Sequence, residues 1–148
     1  MVELLVKPAS GAVVHDITPQ SAGWGHVGFG LHDLAAGGVI NGSGDGNELC
    51  IVLLSGAVSV SAGDVDFGHT QGRESVFDGV PAHAFYVPMH TTWKVEATKA
   101  SEVAICRAPG IDGVHPPRHI TPNSMSLETR GSGANTRHVC NILPETEP

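Results

Sequence analysis

The stretch 48–62, reading Glu-Leu-Cys-Ile-Val-Leu-Leu-Ser-Gly-Ala-Val-Ser-Val-Ser-Ala, constrains the fold of this chain more than any other. From Leu49 to Leu54 it is apolar without interruption, too short for a buried helix and rich enough in branched side chains to be a strand covered on both faces. From Ala57 to Ala62 it alternates, with Val58 and Val60 toward one face and Ser59 and Ser61 toward the other. Ser55 and Gly56 between them form a bend or bulge, because glycine accepts backbone angles that a strand residue resists. The two segments are expected to pair at the centre of an all-β protein.

The flanking sequence repeats this pattern in short pieces. Strands are expected over residues 2–6 and 12–16, then within 24–34, where Val27, Phe29 and Leu31 share one face and the glycines of the other admit closely approaching backbone. Residues 41–47, Asn-Gly-Ser-Gly-Asp-Gly-Asn, read as an exposed loop. Further strands are expected at 65–67, 76–79, 84–87, 92–97 and 102–107, with Trp93, Val95 and Ala97 inward and a polar loop over 68–75. Short strands at this spacing, with 19 glycines and 10 prolines to turn the chain, predict a β-sandwich or jelly-roll barrel. Residues 109–122 are loop-like, Thr121-Pro122 predicts an N-cap and a helical turn or two through Glu128, and a short strand follows over 139–143. The division expected is a β-barrel over 1–120, then helix, strand and an acidic, proline-rich linker over 121–148.

A net charge of −7, from 15 acidic and 8 basic residues, argues against nucleic acid or an anionic membrane surface as partner. A small anion can still be held locally, and four of the five arginines, Arg107, Arg118, Arg130 and Arg137, fall in the last third; Arg73 is the other. Within Arg-Gly-Ser-Gly-Ala-Asn-Thr-Arg, Arg130, Asn135 and Arg137 form the best candidate for binding a carboxylate, since guanidinium groups pair with it bidentately. The three cysteines, Cys50, Cys106 and Cys140, contain no Cys-x-x-Cys pair and read as small hydrophobes of a reduced, cytoplasmic protein. The apolar run at Leu4–Val6 is too short for a signal peptide or membrane span.

Nine histidines raise the question of a metal, and their spacing answers against it. His26 and His32, or His83 and His90, are not separated by the two residues that would place both as neighbours on one strand face, and the prolines between His115 and His119 prevent the helix that would bring those two together. His15-Asp16 lacks a serine in a nucleophile-elbow setting, so no hydrolytic triad is expected and no catalytic residue is assigned.

The central strands and the run Phe-Tyr-Val-Pro-Met-His-Thr-Thr-Trp-Lys-Val over 85–95 resemble the two motif regions of cupin domains. Aligned on Gly56 and Pro88, the ligand positions of a metal-binding cupin fall at Ser43, Asp45, Leu49 and Trp93, so the resemblance implies a cupin with no metal site. A longer resemblance is carried by Leu4-Leu5-Val6-Lys7-Pro8, by 16–24, by Val52-Leu53-Leu54-Ser55-Gly56, Tyr86-Val87-Pro88, Arg130-Gly131, Asn135, Arg137 and Asn141-Ile142-Leu143-Pro144. Together these are similar to the N-terminal half of the 5-deoxy-glucuronate isomerases, bicupins of myo-inositol catabolism. The resemblance implies conversion of 5-deoxy-D-glucuronate to 5-dehydro-2-deoxy-D-gluconate, an aldose–ketose isomerisation, on a sugar-acid substrate. It also implies that a divalent metal such as zinc belongs to a second cupin half beyond Pro148, leaving this half without cofactor and inactive alone. The alternative expectation is a stand-alone, metal-free cupin that binds a sugar acid or serves oligomerisation; an apolar face left by the companion half predicts a homo-oligomer.

Overall fold

In the computed structural model, which describes residues 5–111 and 115–144, the 48–62 stretch does not pair with itself. Asn47–Ser55 (β4) lies in one sheet and Ala57–Ala62 (β5) in another, and Gly56 is the corner between them. The expected hairpin is thus replaced by a change of sheet. Gly56 has φ of 94°, and a side chain there would collide with the Ala100 carbonyl oxygen and Ser101 Oγ. Buried Ser101 secures the corner by accepting the Ala57 N–H at 3.0 Å and donating to the Lys99 carbonyl at 2.7 Å.

The eight central strands are nested antiparallel pairs. Gly28–Leu34 (β2) pairs with Ser101–Pro109 (β9), and Val39–Ser43 (β3) with Thr92–Ala97 (β8). Inside these, β4 pairs with His83–Val87 (β7), and β5 with Val65–Gln71 (β6). Val13–Ile17 (β1) and Arg118–Ile120 (β10) extend the first sheet at its two edges. The sheets read β1-β2-β9-β4-β7-β10 and β3-β8-β5-β6, a double-sheet jelly roll of the cupin kind rather than a closed barrel.

Leu49, Ile51 and Leu53 of β4 point between the sheets, where they meet Phe85, Val87, Val103 and Ile105 and, from the other sheet, Val58, Val60, Trp93 and Val95. Full burial of each large side chain contributes roughly 1.5–3 kcal/mol. Cys50, Val52 and Leu54 take the opposite face, beside Phe29, Leu31, Ala84, Tyr86 and Ala104. That face is covered by Ile120, Met125 and Ile142 from the last third of the chain. The uninterrupted apolar run is therefore covered on both sides, as its composition predicts, and Met125 and Ile142 of the second cover immediately flank a hairpin of Ser126–Arg130 (β11) and Arg137–Asn141 (β12).

Local polar competition accounts for several departures from expectation. Residues 76–79 form a turn instead of a strand, because the Asp78 carboxylate accepts the N–H groups of Glu74 and Ser75 at 3.0 and 2.9 Å, leaving Phe77 fully in solvent. Arg73 ties the same loop down by donating to the carbonyls of Leu54 and Val80. The turn begun at Thr121 closes as a single 3₁₀ turn, Pro122–Ser124, without a side-chain cap, and the chain then extends into β11 where helix was expected. β3 claims part of the expected 41–47 loop, β6 runs on to Gln71 and β10 lies within the expected 109–122 loop, each fixed by pairing with a neighbour. A four-residue helix not expected from the sequence, Pro19–Ala22 (α1), is held by a capping box between Thr18 and Ser21. Of the expected strand at 2–6, residues 2–4 lie outside the described residues and Leu5 and Val6 are not in a strand; 145–148 of the expected linker also lie outside them.

Candidate functional site

The positions where a metal-binding cupin would carry its ligands are occupied by core and turn residues. Leu49 and Trp93 are buried between the sheets. Ser43 is exposed at the end of β3, where its Oγ accepts the Asp45 N–H at 3.2 Å, and Asp45 turns the chain with φ of 45°. A leucine offers no donor atom and an indole N–H cannot bind a cation, so this set does not fit a metal. Among the described residues no three His, Cys, Asp or Glu side chains converge as a metal site.

Arg130, Asn135 and Arg137 are brought to one place, the tip of the β11–β12 hairpin. Arg130 and Arg137 are register partners, and Asn135 closes the 3₁₀ turn Gly133–Asn135 between them. All three are exposed. Arg130 is occupied by Glu128, to which it donates at 2.9 and 2.7 Å, and this pairing with the Asn141 amide holds the Glu128 carboxyl down at about 2. A cavity on this hairpin is lined instead by residues of the strands, Leu127, Glu128 and His138 among them. The geometry therefore gathers the three side chains without enclosing a ligand around them.

A more enclosed polar arrangement lies at the end of the sandwich where β1, β2, β4 and β9 meet. A cavity of about 400 Å³ is lined there by Asp16, Thr18, His26, Gly28, Asn47 and Arg107, among others. Arg107 stands between Gly28 on β2 and Leu49 on β4, and faces Asp16 at 3.9 Å. Gly30 pairs with Asp16 on one side and Ile105 on the other. Its bare face is approached by side chains, where close backbone was expected: His32 Nε2 lies 3.2 Å and Arg107 Nη1 3.4 Å from where a Cβ would be. Both ring nitrogens of His32 are buried without a hydrogen-bond partner among the described residues. Burial, then the Arg107 charge, lowers the His32 pKa, against a smaller opposing effect of Asp16. The sequence signal for this group was the Gly-x-Gly-x-His alternation of 28–32, which places three positions on one strand face.

Two further features were not expected. His83 and His119, from β7 and β10, lie together, although the spacing of the histidines suggested none would. On the outer face of the first sheet, Trp24, Val27, Phe29, Cys50, Tyr86 and Leu143 line an apolar groove of about 370 Å³. Cys50 and Cys106 are register partners there, and burial followed by the neighbouring Cys106 pushes the Cys50 thiol up to about 12.

Two antiparallel sheets of nested strand pairs packed face to face define the class: a cupin-fold protein. The sequence comparison narrows this, because residues 4–148 match the KduI/IolB family, and the chain belongs to that family. It is 40% identical over 132 residues to the 5-deoxy-glucuronate isomerase of Geobacillus kaustophilus, covering 89% of this chain and 48% of the relative. It is 35% identical over 154 residues to that of Halalkalibacterium halodurans, covering 100% and 57%. The crystal structure of an IolB-like protein from Salmonella typhimurium LT2 superposes with a TM-score of 0.93 at 41% identity, over 99% of this chain and 56% of that one. The chain thus spans about half the length of the curated relatives it matches. Among the described residues no helix is long and apolar enough to cross a membrane.

Proposed function

We propose that this chain is the N-terminal cupin half of an isomerase that converts 5-deoxy-D-glucuronate to 5-dehydro-2-deoxy-D-gluconate in myo-inositol catabolism, in the cytoplasm. The observation that carries this reading is the match of nearly the whole chain to about half of relatives named 5-deoxy-glucuronate isomerase. In this reading 1–120 form the first cupin unit and 121–148 lead toward the second. Aldose–ketose isomerisation removes a proton beside a carbonyl and stabilises the enediolate that forms, work suited to a Lewis-acidic metal. The residues at the cupin ligand positions do not fit a metal, so no step of the reaction is assigned to this half, which serves as scaffold. Arg137, exposed at the hairpin tip beside Arg130 and Asn135, is available to a sugar-acid carboxylate once a second half completes the surroundings.

The test is complementation. The isolated chain, supplied with zinc, is expected to show no isomerase turnover, and activity is expected on adding the second cupin half of a relative. Turnover by the isolated chain refutes the scaffold assignment, and no turnover with any second half refutes the isomerase reading.

A further inference from the structure

We infer that Cys50 and Cys106 form a reversible oxidation site. In reducing solution they stand as a facing dithiol, and a small disulfide oxidant joins them into a cross-strand disulfide that ties β4 to β9.

The sheet sets the placement. Cys50 on β4 and Cys106 on β9 are register partners, and partners on antiparallel strands present their side chains to the same face. Directly opposed residues have Cα atoms about 4.5 or 5.5 Å apart, inside the roughly 4.4–6.8 Å that a disulfide spans. The same row continues to Phe29 on one side and Tyr86 on the other, so the pair lies on the outer face, where both thiols line the apolar groove. Both are free. Cys140 faces no thiol across its ladder: its register partner is Leu127, and its Sγ meets Met125 Sδ at 3.4 Å.

Burial divides the roles. Cys106 is exposed and Cys50 is half-buried. Burial raises both thiols, Cys50 to about 12, while the Arg107 charge opposes the rise at Cys106. Cys106 is therefore the first nucleophile. Its thiolate attacks one sulfur of the oxidant, whose S–S bond breaks, leaving a mixed disulfide and a departing thiolate. The Cys50 thiolate then attacks the Cys106 sulfur; the new S–S bond forms and the second small thiolate leaves. The departing thiolates take up the protons that the cysteines gave up, so the protein dithiol is oxidised and the small disulfide is reduced to thiols.

The bond is built to open again. Opposed Cβ atoms start about 4.5–5.5 Å apart, whereas a disulfide prefers about 3.8 Å. Closing it draws the strands together, and a bond strained in this way is reduced more easily than a structural one. While it is closed, β5, β6, β7 and β8 lie within the loop it seals, which constrains the unfolded chain. This inference does not rest on the isomerase reading.

Peptide mapping tests it. The reduced full chain is incubated with oxidised glutathione at about pH 8, then digested and weighed without reduction. A Cys50–Cys106 linked peptide, lighter by two hydrogens than its parts, is expected, and dithiothreitol is expected to restore the thiols. Cys50→Ser is expected to hold glutathione on Cys106, and Cys106→Ser to acquire it on Cys50 at least about tenfold more slowly. Cys140→Ser leaves the link unchanged. The linked chain is expected to melt about 5 °C or more above the reduced chain. The inference is overturned if the folded parent forms no Cys50–Cys106 link, if the link forms only in urea, if Cys140 replaces either partner, or if the linked chain melts no higher than the reduced one. Should a serine variant fail to fold, the map and melting curve of the parent decide the question.

Discussion

His83 Nδ1 and His119 Nε2 share a hydrogen bond of 3.0 Å, and the His119 ring stacks on buried Phe85 with centroids 4.4 Å apart. Such a bond needs at least one neutral ring to accept. Burial lowers both pKa values, and for His119 the neighbouring His83 lowers it further. The unfolded chain therefore binds protons more readily than the folded one as pH falls below about 6.5, and stability rises with pH through that region. Thermal melts from pH 5 to 8 are expected to show a rising Tm that levels off above about 6.5. In His83→Gln the rise is expected to be shallower; an unchanged slope would show that the pair does not contribute.

Gly56 cannot be replaced without moving the corner between the sheets. Its φ of 94° already disfavours a side chain, and the Ala100 carbonyl and Ser101 Oγ occupy the space a Cβ would need. Gly56→Ala is expected to cost on the order of 3 kcal/mol in urea denaturation, combining backbone strain with overpacking. A loss below about 1 kcal/mol would mean that the corner is softer than its contacts indicate.

The two phenylalanines Phe85 and Phe77 separate core from surface. Phe85 is 0% exposed and Phe77 is 93% exposed. Phe85→Ala is expected to destabilise by about 3–5 kcal/mol, whereas Phe77→Ser stays within about 0.5 kcal/mol. Equal effects of the two changes would contradict the assignment of 76–79 as a solvated turn.

The cysteines are expected to differ in reactivity. With its thiol pushed up to about 12, Cys50 carries roughly one part in ten thousand of thiolate at pH 8, while Cys140 is exposed on the outer hairpin. Labelling with a water-soluble maleimide followed by peptide mass mapping is expected to find Cys140 modified well before Cys50. Labelling of Cys50 at the faster rate would place the outer apolar face in open solvent more often than the fold implies.

Much of the architecture was legible because it rests on periodicity. The alternation in β5 and β8 put Val58, Val60, Trp93 and Val95 on the correct face, and the unbroken run of β4 announced two covers. Pairing was not legible, since alternation fixes which way a side chain points and says nothing of its neighbour across the sheet. For that reason the corner at Gly56 read as a hairpin, and β3 and β10, which depend on their partners β8 and β7, were partly or wholly read as loop. Spatial grouping followed the same rule. Arg130, Asn135 and Arg137 were grouped as candidates because they are close in sequence, while His32 and Arg107 are joined only by the pairing of β2 with β9. The meeting of His83 with His119 was missed for the same reason, as β10 carries His119 to the sheet edge beside β7.

The nested pairing of the eight strands also orders their assembly. Val60 meets Gly68 across the innermost pair, whereas Gly30 meets Ile105 across the outermost. Each closure spans a longer loop than the one inside it, and the entropy of that loop is smallest once the inner strands are already joined. Folding is thereby favoured from the β5–β6 turn outward, and the cavity lined by Gly28 and Arg107 is completed by the last pair to close. A chain in which Gly28 has met Arg107 has finished folding, so the closure of that end reports on the whole jelly roll.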